Sequence, residues 1–125
     1  MATTGSYDSG FLRVALTDAG DAAGDVASIA NPEGVSLIIT RAVLNITTGS
    51  TGASTLDVGV AANATTSADN LIDGQSGATA GAFAEVGTNG KRAMKWGATE
   101  YVTVSEASGN VDGIAGELLL QYVTL

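Results

Sequence analysis

The chain has 125 residues, a formal net charge of −8 at pH 7, and neither cysteine nor histidine. This length is typical of one domain. The acidity disfavours binding to nucleic acid or to an anionic membrane surface, because both require a cationic protein surface. The missing residue types exclude disulfides, thiolate nucleophiles, histidine-based triads and the usual zinc sites.

The N-terminus predicts a flexible arm, residues 1–10, ahead of a single domain, residues 11–125. The arm is either a disordered terminus or a segment that orders on a partner, with Tyr7 and Phe11 as anchors. It lacks the basic start and apolar stretch of a signal peptide, and no run in the chain reaches the ~18 apolar residues of a membrane span. We therefore expect synthesis in a host cytoplasm without an export signal.

Strand patterns begin directly after the arm. Alternating apolar residues predict strands over residues 11–16 and 26–30. The sequence Asn-Pro-Glu-Gly at residues 31–34 predicts a turn, because proline presets φ and glycine accepts the left-handed conformation.

The densest run of β-branched residues, 35–61, predicts two strands joined by a Thr/Gly/Ser loop. In the first strand the apolar side switches from the set Val35, Leu37, Ile39 to the set Ala42, Leu44, Ile46. A switch of this kind indicates a β-bulge near Thr40 and Arg41, or else a central strand covered on both faces. Residues 56–61 alternate again, and the simplest expectation is a hairpin in which they pair with residues 42–46.

The region 62–90 is the least regular part of the sequence. We expect a short helical turn over residues 67–71, capped by Thr66 or Ser67. Leu71 and Ile72 would attach it to the core, and a short extra strand is expected around Phe83 and Val86. The acidic stretch 69–74 lacks the ligand spacing of a calcium loop.

The C-terminal third predicts two more strands, over residues 99–106 and 114–125, joined by a hairpin loop over residues 108–113. The last strand is apolar on both faces, which indicates a central position or coverage by a neighbouring subunit. In total the sequence predicts an all-β protein with about seven or eight strands, arranged as an antiparallel β-sandwich or a jelly-roll-like fold.

Four residues near the middle of the chain stand out against its acidity: Lys91, Arg92, Lys95 and the only tryptophan, Trp96. Charge protecting a strand edge is one interpretation. The other is a docking patch for an acidic protein partner, with Trp96 as the anchor. The sequence offers no catalytic, cofactor-binding or metal-binding set of residues, so we expect no enzymatic activity and no cofactor.

Two stretches resemble a known family: LDVGVAANATTSADNLIDG, residues 56–74, and KWGATEYVTVSEASGNVDGIAGELLLQYV, residues 95–123. They are similar to capsid decoration, or cement, proteins of tailed bacteriophages. Together the two stretches cover somewhat more than a third of the chain. The resemblance implies a β-rich virion protein that binds the major capsid protein on the outer capsid surface, stabilises the phage head, and is often a trimer.

Two alternative functions stay open at this point. A phage tail or head-fibre component would use the same structural chemistry elsewhere on the particle. A carbohydrate-binding β-sandwich belongs to another class, and the aromatic content of 5% argues against it, because sugar sites present several aromatic rings.

Overall fold

A computed structural model describes residues 9–18 and 24–125 of the chain. The described residues form nine strands and no helix. In chain order the strands are β1 (Ser9–Ala15), β2 (Ala27–Ala30), β3 (Leu37–Thr48), β4 (Ser54–Ala61), β5 (Ile72–Ser76), β6 (Gly81–Phe83), β7 (Met94–Trp96), β8 (Tyr101–Gly109) and β9 (Ala115–Thr124). They make two antiparallel sheets, which confirms the predicted β-sandwich.

The five-stranded sheet has the order β1-β9-β3, with β6 and β7 both paired to the far edge of β3, and the four-stranded sheet has the order β2-β8-β4-β5. Because side chains alternate along a strand, each sheet turns one set of residues inward. These two inward sets form one core of aliphatic residues with Trp96 and Tyr122 at one end. The largest side chains in it are fully buried: Trp96, Leu37, Ile39, Leu44, Ile46, Leu56, Leu71, Ile72, Leu118 and Leu120.

The predicted bulge in β3 is confirmed. The pairing of β3 with β9 shifts between Ile39 and Arg41, so that Thr40 is an extra residue opposite Gln121. Its hydroxyl donates a 3.1 Å hydrogen bond to the Gln121 carbonyl. The bulge lets both apolar sets of β3 point into the core, except that Val35, expected inside, precedes the strand and is 48% exposed.

The predicted hairpin between β3 and β4 is wrong. β4 lies in the opposite sheet and pairs with β8 and β5, whereas β3 pairs with β9, β6 and β7. The loop between β3 and β4 therefore crosses from one sheet to the other. Residues 108–113 likewise connect β8 to β9 across the sandwich and do not close a hairpin.

The predicted helical turn at residues 67–71 is also absent from the described structure. A turn forms earlier, at Asn63, whose side-chain oxygen accepts hydrogen bonds from the Thr65 amide and from the Thr65 and Thr66 hydroxyls at 2.7–3.1 Å. The rest of the segment has no regular secondary structure and leads into β5. Leu71 and Ile72 are buried, as predicted.

This segment, residues 62–71, covers the outer face of the four-stranded sheet. At the edge of β4, beyond its pairing with β5, the Asn70 side chain bonds both the N–H and the C=O of Val60, at 2.8 and 3.2 Å, and so holds the segment against the sheet. The Thr103 hydroxyl, on the outer face of β8, donates to the Thr66 carbonyl at 2.8 Å and is fully buried. One sheet of the sandwich is thus covered on its outer face by the chain itself.

Candidate docking face on the five-stranded sheet

Among residues 9–18 and 24–125, no segment covers the outer face of the five-stranded sheet. Strand register groups its outward side chains into rows, because residues paired across neighbouring strands point to the same side. The three central rows, here called the open face, are Ser9, Val123, Ile38 and Lys95; Phe11, Gln121 and Arg41; and Arg13, Leu119 and Val43.

Two apolar side chains of the open face are exposed to solvent. Phe11 is 59% exposed and Val123 is 39% exposed, while Leu125, just beyond β9, is 70% exposed. Between Phe11 and Arg41, a groove of about 290 Å³ is floored by Val43 and Leu119. Exposed apolar side chains grouped around a groove are a feature of interaction sites on soluble proteins.

All five basic residues of the chain lie on the same side of the molecule as the open face. Arg13, Arg41 and Lys95 belong to its rows, and Lys91 and Arg92 lie in the loop before β7. Arg13 pairs with Glu117 at 3.2 Å, and Arg92 pairs with Glu85 at 3.0 Å. No described carboxylate pairs with the other three cations. The open face is therefore locally cationic on a protein whose net charge is −8.

Acidic side chains gather on the opposite sheet. Opposite Asp57, β5 bulges at Asp73 and Gly74, and the Gly74 amide donates to the Asp57 carboxylate at 2.9 Å. Burial raises the pKa of Asp57, the Gly74 hydrogen bond lowers it, and the charges of Asp69 and Asp73 raise it further. Among the described residues, no group of three or more acidic side chains is placed to hold a metal ion.

Trp96 is not an exposed docking anchor, contrary to the prediction. It points inward from β7, is 0% exposed, and meets the Tyr122 ring edge to face at 6.4 Å. Its indole N–H donates to the Glu100 carbonyl at 2.9 Å. The aromatic ring next to the basic residues belongs to the core, because alternation along β7 turns its neighbour Lys95 outward and Trp96 inward.

The other predicted site residues have different outcomes. Phe11, Lys91, Arg92 and Lys95 lie at the exposed surface of one side of the molecule. Tyr7, with the rest of residues 1–8, lies outside the described residues. Ser9 and Gly10, predicted to belong to the arm, are the first residues of β1.

Sequence reasoning missed most of the open face, including Arg41, Val43, Leu119 and Val123. The signal for two of them was present, since β9 is apolar on both faces. Packing against the four-stranded sheet accounts for one face only, through Leu118, Leu120 and Tyr122. The other face, with Leu119 and Val123, is left open by the part of the chain that the structure describes.

The fold and this surface define an antiparallel β-sandwich with one covered face and one open, mixed apolar and cationic face. Comparison with known proteins found no match among family models, curated proteins or solved structures. Within residues 9–18 and 24–125, no helix is long and apolar enough to cross a membrane.

Proposed function

We propose that this protein is a non-enzymatic virion structural protein that binds the outer capsid surface of a tailed phage and stabilises the head. The observation that carries the proposal is the open face, where exposed apolar residues and cations coincide on one sheet of an otherwise acidic molecule. The family resemblance of residues 56–74 and 95–123 supports the choice of partner, the major capsid protein.

The open face suits a docking role for physical reasons. Phe11, Val123 and Leu125 offer apolar area whose burial is favourable, at roughly 25 cal/mol per Å² before the costs of association. The surrounding cations would select an acidic partner surface and accelerate encounter. A protein that binds only the assembled capsid stabilises it by mass action, without any chemical step.

The test adds purified protein to expanded capsids assembled without it. We expect saturable binding and a rise in the melting temperature of the capsid, measured by calorimetry. Binding should weaken between 0.1 and 1 M salt, because the screening length falls from about 10 Å to about 3 Å. Absence of binding would overturn the proposal.

Two matched variants locate the surface. Phe11→Glu places a charge in the centre of the open face, whereas Val35→Glu changes an apolar residue of similar exposure, 48% against 59%, outside its rows. We expect Phe11→Glu to abolish capsid binding and Val35→Glu to leave it unchanged. Equal binding by both variants would remove the open face from the interface.

The resemblance also implies a homo-oligomer, with a trimer favoured. Two measurements test the oligomeric state separately. Sedimentation equilibrium gives the mass of the free protein, and the saturating number of copies bound per capsid gives its state on the shell. If the protein is a monomer and still binds capsids, the proposed virion role stands and the proposed trimer is wrong.

A further inference from the structure

The edge of the five-stranded sheet contains a gap next to the bulge in β3. β7 pairs with β3 at residues 37–39, and β6 pairs with it at residues 44–46. No strand formed by the described residues pairs with the edge of β3 between these two. The gap opens into a notch of about 290 Å³, lined by Thr40, Arg41, Ala42, Ala84, Glu85, Lys91 and Arg92.

A main-chain amide faces this notch. Leu16 N–H donates to Gly116 and Leu125 N–H donates to Ser36, so even-numbered residues of β9 bond to β1 and odd-numbered ones to β3. Ala42 is paired with Leu120, an even-numbered residue, and its N–H and C=O are therefore directed away from β9, toward the gap. No hydrogen bond within the described part of the chain joins Ala42 to the loop across the gap.

Three of the five basic side chains in the chain line the same notch: Arg41, Lys91 and Arg92. Together with the Ala42 amide they make a concave set of donors around one small volume. Arginine side chains recognise carboxylates through paired N–H donors, which makes such bonds stronger and more directional than a contact between single charges.

One carboxylate is already at the notch. Glu85 accepts a 3.0 Å hydrogen bond from Arg92 Nε, and it is the only non-glycine residue in the described chain with a positive φ, +56°. A side chain in this left-handed conformation costs backbone energy. Both groups of the pair are well exposed, with 81% of the Arg92 side chain and 45% of the Glu85 side chain accessible, so the pair is weak and open to exchange.

We propose that the notch binds a carboxylate side chain of an acidic polypeptide and that Glu85 is its internal competitor. An incoming carboxylate takes the place of Glu85 on Arg92 and gains Arg41, Lys91 and the Ala42 amide. The groove on the other side of Arg41 then receives an apolar neighbour from the same segment. The recognised chemistry is an extended acidic segment that carries an apolar residue next to a carboxylate. Only the identity of the partner, the capsid, rests on the proposed function.

The test titrates ¹⁵N-labelled protein with a blocked peptide that contains Glu-Leu-Glu, and with a control peptide that contains Gln-Leu-Gln. We expect the acidic peptide alone to saturate and to shift the amide resonances of residues 40–43. Glu85→Gln removes the competitor without altering the surface shape, and should tighten binding about two- to fivefold, the range of an exposed ion pair.

Three further variants complete the design. Arg41→Gln and Arg92→Gln should each weaken peptide binding by a similar factor, whereas Lys95→Gln, a cation of the open face outside the notch, should not change it. Unchanged melting temperatures would show that all variants are folded. Equal binding of both peptides, or no effect of Glu85→Gln, would overturn the inference.

The notch and the capsid proposal fail separately. Suppose that the wild type binds capsids and that the Arg41→Gln and Arg92→Gln variants bind them as tightly as the wild type does. The virion role then stands, and the notch is not used in capsid binding. If the acidic peptide binds at residues 40–43 and capsids do not, the notch stands and the virion role fails.

Discussion

The phenol of Tyr122 donates a 2.6 Å hydrogen bond to the carboxylate of Glu33, which lies 89 residues earlier in the chain. Tyr122 is in β9, and Glu33 is in the turn between β2 and β3. The bond therefore ties the last strand of the five-stranded sheet to a connection that crosses from the opposite sheet. Gly10 in β1 makes room for it, since a Cβ at that position would lie 2.1 Å from the tyrosine ring.

This bond predicts a specific loss of stability in alkali. The hydrogen bond to Glu33, burial and the Glu33 charge raise the pKa of Tyr122 to about 12, from 10.0. A raised pKa means that the folded state favours the neutral phenol, so the stabilisation is complete below pH 10 and is lost as the pH rises to about 12.

The measurement is urea unfolding of the wild type and of Tyr122→Phe at pH 8 and at about pH 11.5. At pH 8 we expect the variant to be less stable by about 1.5 kcal/mol, the loss of a hydrogen bond to a charged group. At the higher pH the difference should shrink. A difference that stays constant between the two pH values would contradict this linkage.

Residues 62–71 pack closely on the four-stranded sheet at Gly59, and this predicts a loss of stability when a side chain is added there. A Cβ at Gly59 would lie 2.7 Å from Ala68 and 2.7 Å from the Asn70 side-chain oxygen. Gly59→Ala must displace residues 68–70, and we expect a loss of about 1–3 kcal/mol in the free energy of unfolding. The matched control is Gly52→Ala, where nothing lies within 4 Å of the added carbon. Its effect should stay within about 0.5 kcal/mol. Similar losses for both variants would mean that the segment does not pack on β4.

Trp96 provides an internal spectroscopic test, because it is the only tryptophan in the chain and is fully buried. We expect blue-shifted emission that acrylamide quenches poorly, both in the free protein and after docking through the open face. Trp96→Ala should cost about 3–5 kcal/mol in stability, as expected for a large core side chain. Efficient quenching in the free protein, lost on partner binding, would instead place Trp96 in the interface.

Asp57 predicts the opposite pH response to that of most acidic residues. Burial and the charges of Asp69 and Asp73 raise its pKa despite the Gly74 hydrogen bond. The folded state therefore favours the protonated carboxyl group of Asp57. This contribution to stability is present at low pH and is lost as the pH rises through the pKa of Asp57 in the folded state. At neutral pH the ionised carboxylate is unfavourable.

Asp57→Asn keeps an oxygen for the Gly74 amide and removes the charge. We expect a higher melting temperature than the wild type at pH 7, and no advantage at pH 3. Asp112→Asn, at an exposed position in the loop between β8 and β9, is the control and should show neither effect. A destabilised Asp57→Asn at pH 7 would show that the carboxylate is favourable there.

Period-two alternation predicted where the chain is extended and which side chains are buried. It located the strands before and after the turn at residues 31–34, and the phase switch in β3 predicted its bulge. Those features depend on neighbours in sequence. The short strand β5 was missed because a left-handed Gly74, with φ +78°, interrupts its alternation and resembles a turn.

The open face likewise combines features that were visible in the sequence with features that depend on strand pairing. Exposed Phe11 and the cations near residue 91 were visible as residue types, and were predicted as interface candidates. Their combination with Arg41, Val43 and Leu119 was not, because Phe11 meets these three residues only through the pairing of β1, β9 and β3. Trp96 was misassigned because composition places it beside lysines, whereas the sheet turns it to the other side.

By itself, the sequence determined most of the longer strands, the turn at Asn31, the bulge in β3 and the lack of thiol or imidazole chemistry, since each depends on residue type or local spacing. Only the tertiary structure decided which sheet each strand joins and which outer face remains open. In a sandwich both sheets direct the same alternating pattern into one shared core, so alternation cannot tell them apart. The partners of β4, the coverage of the four-stranded sheet by residues 62–71, and the cationic open face opposite it are all consequences of that pairing.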